Sequence, residues 1–445
     1  MLKRLTRVCV AIAERYLPDP LVIAILLTGV SFVAAVTFTD FTPGEAVDAW
    51  GTGYWTLLRF TAQMILVLGL GHVLANTRPA HQLLVAIAQR INSATVAYVG
   101  ITLIASAAAL VSWGLGLIVP AILARIVAEN CRARGIRIHF PLLVACSYCG
   151  NVVNMQGLSS SIALVVNTPG HFLEESIGRI GLDQTIFSAW NLAIVATILV
   201  VLPLLLRQLE PEDHGIVEIP ATAAAVDLDT QSSPSTAGVA SIAVRLENSR
   251  GVTLALALFG GWYVTRFFVG GGSLQLDSLN MIFVVLGLAL ADSPRHYIEL
   301  LSNAAKVAGP FLIQYPLYSG MMGLIADSGL GTLIVGGFVS VSTTATLPIW
   351  AFFSAAFLNL FIPSAGGQWA VQGPIVTEAA LQLGANVPRV TMAVVVGEVW
   401  TNLIQPLYVV PVLAIAGLNL RDIMGYCVIA LLAVAPIYLT ALVLF

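Results

Sequence analysis

An uncharged apolar segment that turn-forming residues interrupt constrains the fold of this chain most strongly. No charged residue lies from Thr346 to Thr377, yet the middle reads Pro363-Ser364-Ala365-Gly366-Gly367-Gln368-Trp369, followed by Gln372-Gly373-Pro374. Proline removes a backbone donor and clashes with the preceding turn, and glycine weakens a helix. Irregular backbone survives within a bilayer only where protein buries it or water lines it. The pattern therefore predicts a re-entrant hairpin over 346–384 with a polar tip near the midplane. The alternative is a kinked helix at a packing contact.

The composition places this segment in a membrane protein. Of the 445 residues, 58% are hydrophobic and 10% are charged, whereas soluble domains carry about 25% charged residues. We therefore expect an all-α polytopic membrane protein with a retained first helix. The sequence contains no basic stripe, so its charge pattern does not indicate a nucleic-acid partner. The five cysteines are scattered, and we interpret the pair Cys146 and Cys149 as reduced and buried.

Nine segments are apolar enough to be predicted as crossings, and two more are predicted as hairpins. Segments 96–128 and 346–384 could be full spans or hairpins, and the distribution of Lys and Arg favours hairpins. With that choice 16 of the 20 basic residues fall on one side, which predicts a cytoplasmic N-terminus. The expected crossings lie at about 19–37, 55–76, 140–167, 186–206, 251–268, 278–291, 299–326, 388–416 and 424–445.

A polar segment divides the chain into halves. Residues 207–250 contain few large apolar side chains, which is typical of a linker, here placed in the cytoplasm. The predicted organisation is a first repeat over 1–206, this linker, a connecting helix at 251–268, and a second repeat over 269–445. Each repeat would contain a hairpin and then a broken helix, at 140–167 in the first and 388–416 in the second.

The two halves share residues at a nearly constant spacing. Ala75-Asn76-Thr77 corresponds to Ala326-Asp327-Ser328, and Gly116 to Gly367, at an offset of 251. Gly150 corresponds to Gly397 at an offset of 247. Because one extra crossing would invert the second half, we predict inverted repeats with a binding site at the midplane between them, as in secondary transporters.

The predicted site combines the tips of the two hairpins with the two interrupted helices. Two glycines in Ser112-Trp113-Gly114-Leu115-Gly116 permit a tight turn, although ordinary glycine packing is the alternative. Amides and hydroxyls interrupt the later helices and could bind a carboxylate, or could be interhelical packing contacts. The expected substrate-binding residues are Ser112, Trp113, Gly114, Gly116, Asn154, Ser364, Gly366, Gly367, Gln368, Gln372 and Asn402.

Glu398 is the most informative single residue. It is the only charged residue between Arg389 and Arg421, and a carboxylate near mid-bilayer costs about 3 kcal/mol or more. It could bind a proton or a sodium ion, or it could be a structural partner of an amide. We expect the coupling ion to involve Glu398, Asn151, Asn359 and Thr401. No cofactor is expected apart from this ion.

Several short motifs are distributed along the chain. They are Tyr16-Leu17-Pro18-Asp19-Pro20-Leu21, Gly71-His72, Trp113-Gly114-Leu115-Gly116, Asn167-Thr168-Pro169-Gly170, the segment 363–374, Gly397-Glu398, 414–418 and 421–427. Together these motifs resemble those of bacterial short-chain fatty acid transporters of the AtoE type. The resemblance covers the whole chain apart from the linker and is specific in the second tip and near the C-terminus.

The resemblance implies uptake of short-chain carboxylates such as acetoacetate or butyrate through the bacterial inner membrane. It also implies membership of the ion transporter superfamily, whose proteins often form dimers. Ala365 stands where the family has a third tip glycine, and Asn154-Met155-Gln156-Gly157 replaces a Trp- and Gly-rich segment. These departures leave the exact acid open.

We therefore expect cation symport of a monocarboxylate, with a proton favoured over sodium. A negative-inside potential opposes anion entry by about 2.3 kcal/mol per 100 mV, so a cation must accompany the anion. The alternatives are a sodium-coupled symporter of hydroxy- or dicarboxylates and a passive anion channel. An enzyme is disfavoured, because no metalloprotease, serine hydrolase or P-loop motif is present.

Overall fold

The computed structural model describes an all-helical polytopic membrane protein. Described are residues 8, 15, 18, 20–56, 58–75, 77–167, 169–171, 173–212, 215–219, 241–272, 276–305, 309–363 and 365–444. Among these residues six helices are long and apolar enough to cross a membrane, or eight spans if each of two bent helix pairs counts as one. Sequence analysis predicted about nine crossings and two hairpins.

The helices of the first half follow one another with short connections. They are α1 (Pro20–Phe38), α2 (Pro43–Tyr54), α3 (Leu58–Ala75), α4 (Arg78–Gln89), α5 (Ala94–Val111), α6 (Trp113–Ala133), α7 (Phe140–Cys149), α8 (Ser161–Asn167), α9 (Glu174–Ile177) and α10 (Ala189–Leu206). Short 3₁₀ segments cover Gly150–Gln156, Leu182–Gln184 and Arg207–Leu209.

The second half repeats much of this order after two connecting helices. It comprises α11 (Ile242–Glu247), α12 (Arg250–Val269), α13 (Leu276–Leu290), α14 (Pro294–Ala305), α15 (Gly309–Asp327), α16 (Leu330–Val339), α17 (Leu347–Leu358), α18 (Ala365–Leu383), α19 (Val387–Asn402), α20 (Pro406–Ala416) and α21 (Leu420–Leu444). Helices α2 and α14 both begin at a proline, at positions 43 and 294, again 251 residues apart.

The two halves pack against each other reciprocally. Helices α1 and α2 contact α15, while the corresponding helices α13 and α14 contact α3. A close cross-half approach lies between Gly53 and Gly323, where a Cβ built on Gly53 would lie 2.8 Å from the Gly323 Cα. Glycine is therefore required at this crossing, because any side chain would separate the two helices.

Some helix boundaries differ from the predicted ones. The expected crossing 299–326 is not one helix, because α14 ends at Ala305 and α15 begins at Gly309. Helix α15 then bends by 65° into α16, and α19 bends by 44° into α20. The short helices α2 and α4 were not predicted. Proline at the first or second helical position fixes the start of both, and a capping box between Thr42 and Glu45 also holds α2.

The linker is only partly described. Residues 215–219 pack beside the start of α7, where the Phe140 N–H donates to the Val217 carbonyl at 2.8 Å. The Tyr98 hydroxyl donates to Glu210 at 3.0 Å. Most of 207–250, including 220–240, lies outside the described residues, so the expected unstructured linker stays a prediction there.

Candidate functional site

The second tip is a short irregular segment between α17 and α18. Helix α17 ends at Leu358, and α18 begins at Ala365. The Asn359 side chain is fully buried, and its amide donates to the Glu398 carbonyl at 3.0 Å, to the Thr401 hydroxyl at 3.0 Å and to the Asn402 Oδ1 at 2.8 Å. One amide thus fixes the tip to the last turns of α19. Ser364 lies outside the described residues.

Glu398 lies within α19 at the centre of this cluster. Its side chain is fully buried, and its Oε1 accepts a hydrogen bond from the Asn402 amide at 3.0 Å. The Glu398 Oε2 and the Asn359 Oδ1 have no hydrogen-bond partner in the described part of the chain. The Thr401 hydroxyl donates to the Ala356 carbonyl at 3.0 Å. A carboxyl, two amides and a hydroxyl therefore meet where α17 and α19 end.

Gln405 completes the second break and was not predicted as a site residue. The helix stops at Asn402 and resumes at Pro406, which has no N–H. The Gln405 amide donates to the Asn359 carbonyl at 2.9 Å and to the Leu360 carbonyl at 3.3 Å. It thereby satisfies carbonyls that the end of α17 leaves without helical partners. A buried amide beside a proline in an uncharged span is the sequence signal for it.

Two glutamines of α18 bind the neighbouring helix α17. The Gln368 amide donates to the Ala355 carbonyl at 3.1 Å and to Gln372 at 3.0 Å, and the Gln372 amide donates to Ser354 at 2.8 Å. Of these two side chains, Gln368 has one atom, its Oε1, without a partner in the described part of the chain. These contacts make Gln372 a support for the hairpin.

The glycines that follow the second tip, in the first turn of α18, are the accessible part of the predicted site. Gly366 is exposed, and a Cβ built on it would meet no atom within 4 Å. Gly367 is half-buried. The backbone of this turn therefore has open space in front of it, as contact with a ligand requires.

The first tip is a single extended residue. Ser112 separates α5 from α6, with φ −155° and ψ 131°, and its N–H donates to the Ala108 carbonyl at 2.9 Å. The Trp113 N–H donates to the Ser159 hydroxyl at 2.9 Å, which joins the tip to the first broken helix. Gly114 and Gly116 are both buried. A Cβ on Gly116 would lie 2.6 Å from the Ala109 Cα, so this glycine permits the close packing of α5 and α6.

The first broken helix contains buried amides with few partners. After α7 the chain forms the 3₁₀ segment, then turns and resumes at Ser161. Asn154 is fully buried, and neither its amide nitrogen nor its carbonyl oxygen has a partner within the described ranges. The Asn151 Oδ1 and the Ser160 hydroxyl also lack one there. Because burying a polar group without a hydrogen bond costs about 1–3 kcal/mol, such groups indicate a bound ligand or water.

The two breaks meet at a small cavity. Tyr148, Asn151 and Val152 line one side of it, and Val399, Asn402 and Tyr408 line the other. Its free space is about that of one water molecule. The Tyr148 hydroxyl donates to the Asn402 carbonyl, and the Tyr438 hydroxyl donates to the Val152 carbonyl at 3.1 Å. These tyrosines were not singled out in the sequence, although a tyrosine in an uncharged span usually has a hydrogen-bond partner.

The predicted residues thus fall into two groups. One group surrounds the meeting point of the breaks, with Gly116 against Asn151 and with Trp113 at 6.3 Å, ring to ring, from Tyr408. The other, comprising Gln368, Gln372 and the glycines of the second tip, is not part of the cavity lining that the structure describes.

The second break could hold a hard cation, because the Glu398 Oε2 and the Asn359 Oδ1 are oxygen ligands without partners among the described residues. Groups of three or more His, Cys, Asp or Glu side chains suited to a metal do not occur among the described residues.

Comparison with known proteins shows the family to which this chain belongs. The family described as "Short chain fatty acid transporter" matches residues 1–445 of the chain. The chain belongs to the short-chain fatty acid transporter family. An Escherichia coli relative is 38% identical over 100% of both chains. A Haemophilus influenzae relative is 35% identical over 99% of both. Each carries the name "Putative short-chain fatty acid transporter".

Two solved transporter structures resemble the chain at low identity. Neisseria gonorrhoeae MtrF, from a study of antimetabolite efflux pumps, is 16% identical with a TM-score of 0.43, covering 98% of this chain and 96% of its own. The Alcanivorax borkumensis YdaH transporter is 18% identical with a TM-score of 0.45, covering 96% and 97%. Membership of the short-chain fatty acid transporter family makes the protein a multi-pass membrane transporter, as the apolar composition and the resemblance of its motifs led us to expect.

Proposed function

We propose that the protein takes up short-chain monocarboxylates, such as butyrate and acetoacetate, together with one proton. The substrate carboxylate would bind between the first tip, the first broken helix and the second tip. The names of the family and of its two relatives support the substrate class. The buried amides without partners support a site for a small polar group.

The observation that carries this proposal is the fully buried Glu398 at the second break. Its Oε2 has no partner among the described residues, and a buried ionised carboxylate is costly. Protonation would remove that cost, and the site would then carry a proton through each transport cycle. Asn402 binds the other oxygen and would orient the carboxyl in both protonation states.

Sodium is the alternative coupling ion. Thr401 and Asn359 lie beside Glu398, so oxygens of these residues could replace part of the water shell of a hard cation. We favour the proton, because a monocarboxylate needs one compensating charge and Glu398 supplies one titratable group.

We further propose an inner-membrane location with the N-terminus in the cytoplasm, and an inverted relation between the halves. The reciprocal packing of α1 and α2 on α15, and of α13 and α14 on α3, supports the repeat. Helices α5 and α6 pack side by side around Ser112, as the two arms of a re-entrant hairpin would. A homodimer remains part of this proposal.

Reconstitution tests the proposed function. Purified protein in liposomes should accumulate labelled acetoacetate when the interior is more alkaline than the medium, and protein-free liposomes give the passive background. Accumulation on a sodium gradient alone would contradict the proton assignment. Equilibration without accumulation on either gradient would indicate a passive channel and contradict symport.

A further inference from the structure

Residues 150 and 397 occupy corresponding places in the two broken helices. Each is a glycine pressed against the first arm of its own hairpin. A Cβ on Gly150 would lie 2.6 Å from the Thr102 carbonyl oxygen, and a Cβ on Gly397 would overlap the Phe352 carbonyl. Thr102 and Phe352 are themselves 250 positions apart. The two helix breaks are therefore built on the same contact.

The next residue differs in charge between the halves. Asn151 follows Gly150, and Glu398 follows Gly397. Both side chains are buried, and each has one oxygen without a partner among the described residues, the Asn151 Oδ1 and the Glu398 Oε2. The positions are thus alike in burial and in hydrogen bonding, but only one can gain or lose a proton.

The surroundings add no further charge to either position. The titratable groups beside Glu398 are the tyrosines Tyr408 and Tyr438. They are neutral at pH 7, because the unperturbed pKa of a tyrosine side chain is about 10. Tyr148 and Tyr408 line the cavity beside Asn151. Among the described residues Glu398 is the only fully buried carboxyl group.

Charged groups on the packed helices are not fully buried. Against the 3₁₀ segment of Asn151, helix α6 carries Arg125 and Glu129, which pair with each other at 3.1 Å, and Arg132 in its last turn. Apart from Glu398, the charged side chains of α19 and of the helices packed on it are each exposed or half-buried. They are Glu378, Arg389, Arg421 and Asp422.

We infer that the Asn151–Glu398 asymmetry fixes the transported charge, so that one proton enters with each monocarboxylate and the cycle is electroneutral. Asn151 keeps the first break neutral at the place where the second break carries its carboxyl. This inference rests on the proposed symport and adds its charge stoichiometry. It also assigns Asn151 as the residue that prevents a second proton from being carried.

The test is uptake of labelled acetoacetate into proteoliposomes of the full chain under a fixed pH gradient. A potassium diffusion potential of about 100 mV, negative inside, is imposed with valinomycin or omitted. The wild-type accumulation ratio should be unchanged by the potential. Asn151→Asp should carry a second proton and therefore one net positive charge. When the potential is imposed, the limiting accumulation by this variant should rise about 50-fold. This factor is 2.3 kcal/mol per 100 mV converted at 1.36 kcal/mol per tenfold.

The wild-type response to the potential tests the charge count even if Asn151→Asp does not fold, and two further variants serve as controls. Asn151→Ala adds no carboxyl and should stay insensitive to the potential. The double variant Asn151→Asp with Glu398→Gln moves the single carboxyl to the first half and should restore electroneutral, pH-driven accumulation.

The outcomes separate this inference from the proposed function. Wild-type accumulation that changes with the potential overturns the one-charge stoichiometry but leaves symport standing. A folded, transporting Asn151→Asp variant that ignores the potential overturns the role of Asn151. Sodium-driven uptake that ignores the potential overturns the proton assignment and supports the charge count. Wild-type protein that accumulates nothing on either gradient overturns both.

Discussion

The two helix breaks differ in how completely their polar groups are bonded. At the second break a single amide, that of Asn359, contacts three groups of α19, and Gln405 binds the carbonyls at the end of α17. At the first break the Asn154 side chain has no partner in the described chain, and the Ser160 hydroxyl has none there either. Several side-chain hydrogen bonds around Asn359 therefore hold the second break, whereas the Asn154 amide of the first break keeps its hydrogen-bonding capacity for a ligand or water.

We propose that this difference gives the halves separate tasks. A self-bonded cluster around one carboxyl suits a coupling ion, because its ligands must stay in place when the ion leaves. Unsatisfied amides suit a substrate that supplies the missing hydrogen bonds when it arrives. The following experiments would break or sharpen this division.

Removing the carboxyl of the second break should have the largest effect. A wild-type transporter that carries one proton should accumulate substrate about tenfold per pH unit of gradient. Glu398→Gln retains the shape and the contact to Asn402 but cannot bind a coupling proton. We expect loss of this accumulation and retained exchange of internal for external substrate. Tenfold accumulation by the variant would show that Glu398 is structural.

Replacing the amides by leucine should shift stability in opposite directions. Asn359→Leu leaves several buried groups without their donor and should lower the free energy of unfolding by about 1–3 kcal/mol. Asn154→Leu removes a buried amide that lacks partners and should raise it by about 1 kcal/mol, while weakening substrate affinity. Thermal unfolding in detergent and substrate-concentration curves measure the two effects. Equal destabilisation by both changes would remove the proposed contrast.

The glycines of the two tips should respond differently to a methyl group. At Gly116 a Cβ meets the backbone of Ala109, so Gly116→Ala should cost about 1–3 kcal/mol of stability. At Gly366 the space is open, so Gly366→Ala should leave stability unchanged. The larger Gly366→Val should reduce uptake by blocking the approach of a ligand to the backbone. Normal uptake by Gly366→Val would remove this tip from the binding site.

Topology labelling should disturb the protein least. The loops beside the two hairpins should face opposite sides of the membrane if the halves are inverted. Single cysteines at Asn92 and Ala345, both exposed, should react with an impermeant thiol reagent from the cytoplasm and from outside, respectively. The described native cysteines are all buried, which keeps the background low. Labelling of both positions from one side would contradict the inverted repeat.

Sequence patterns were sufficient to identify the helical membrane fold, because apolar length and the positions of Pro and Gly report directly on helices and their ends. Thus the helix boundary at Asn402 lies just before Gln405-Pro406. The bend between α15 and α16 was missed, because only a glycine at position 329, in a left-handed conformation, marks it. Short helices such as α4 were missed because they are too short to register as crossings.

Contacts between residues that are far apart in the chain could not be predicted from the sequence. Asn359, Glu398 and Thr401 could be nominated individually, but their mutual contacts depend on how closely Gly397 lets α19 approach α17. Tyr148 and Tyr438 donate to carbonyls that are 254 and 286 positions away in the chain. A pattern of residues in one helix carries no information on such distant acceptors.

The two tyrosines that cross between the halves have a mechanical consequence. Tyr148, from the first half, donates to the Asn402 carbonyl at the second break, and Tyr438, from the second half, donates to the Val152 carbonyl at the first. If either break moved away alone, the tyrosine hydroxyl would be left without its acceptor in a dry interior, at about 1–3 kcal/mol. The two hydroxyls therefore couple the breaks, because moving one break without the other has an energetic cost.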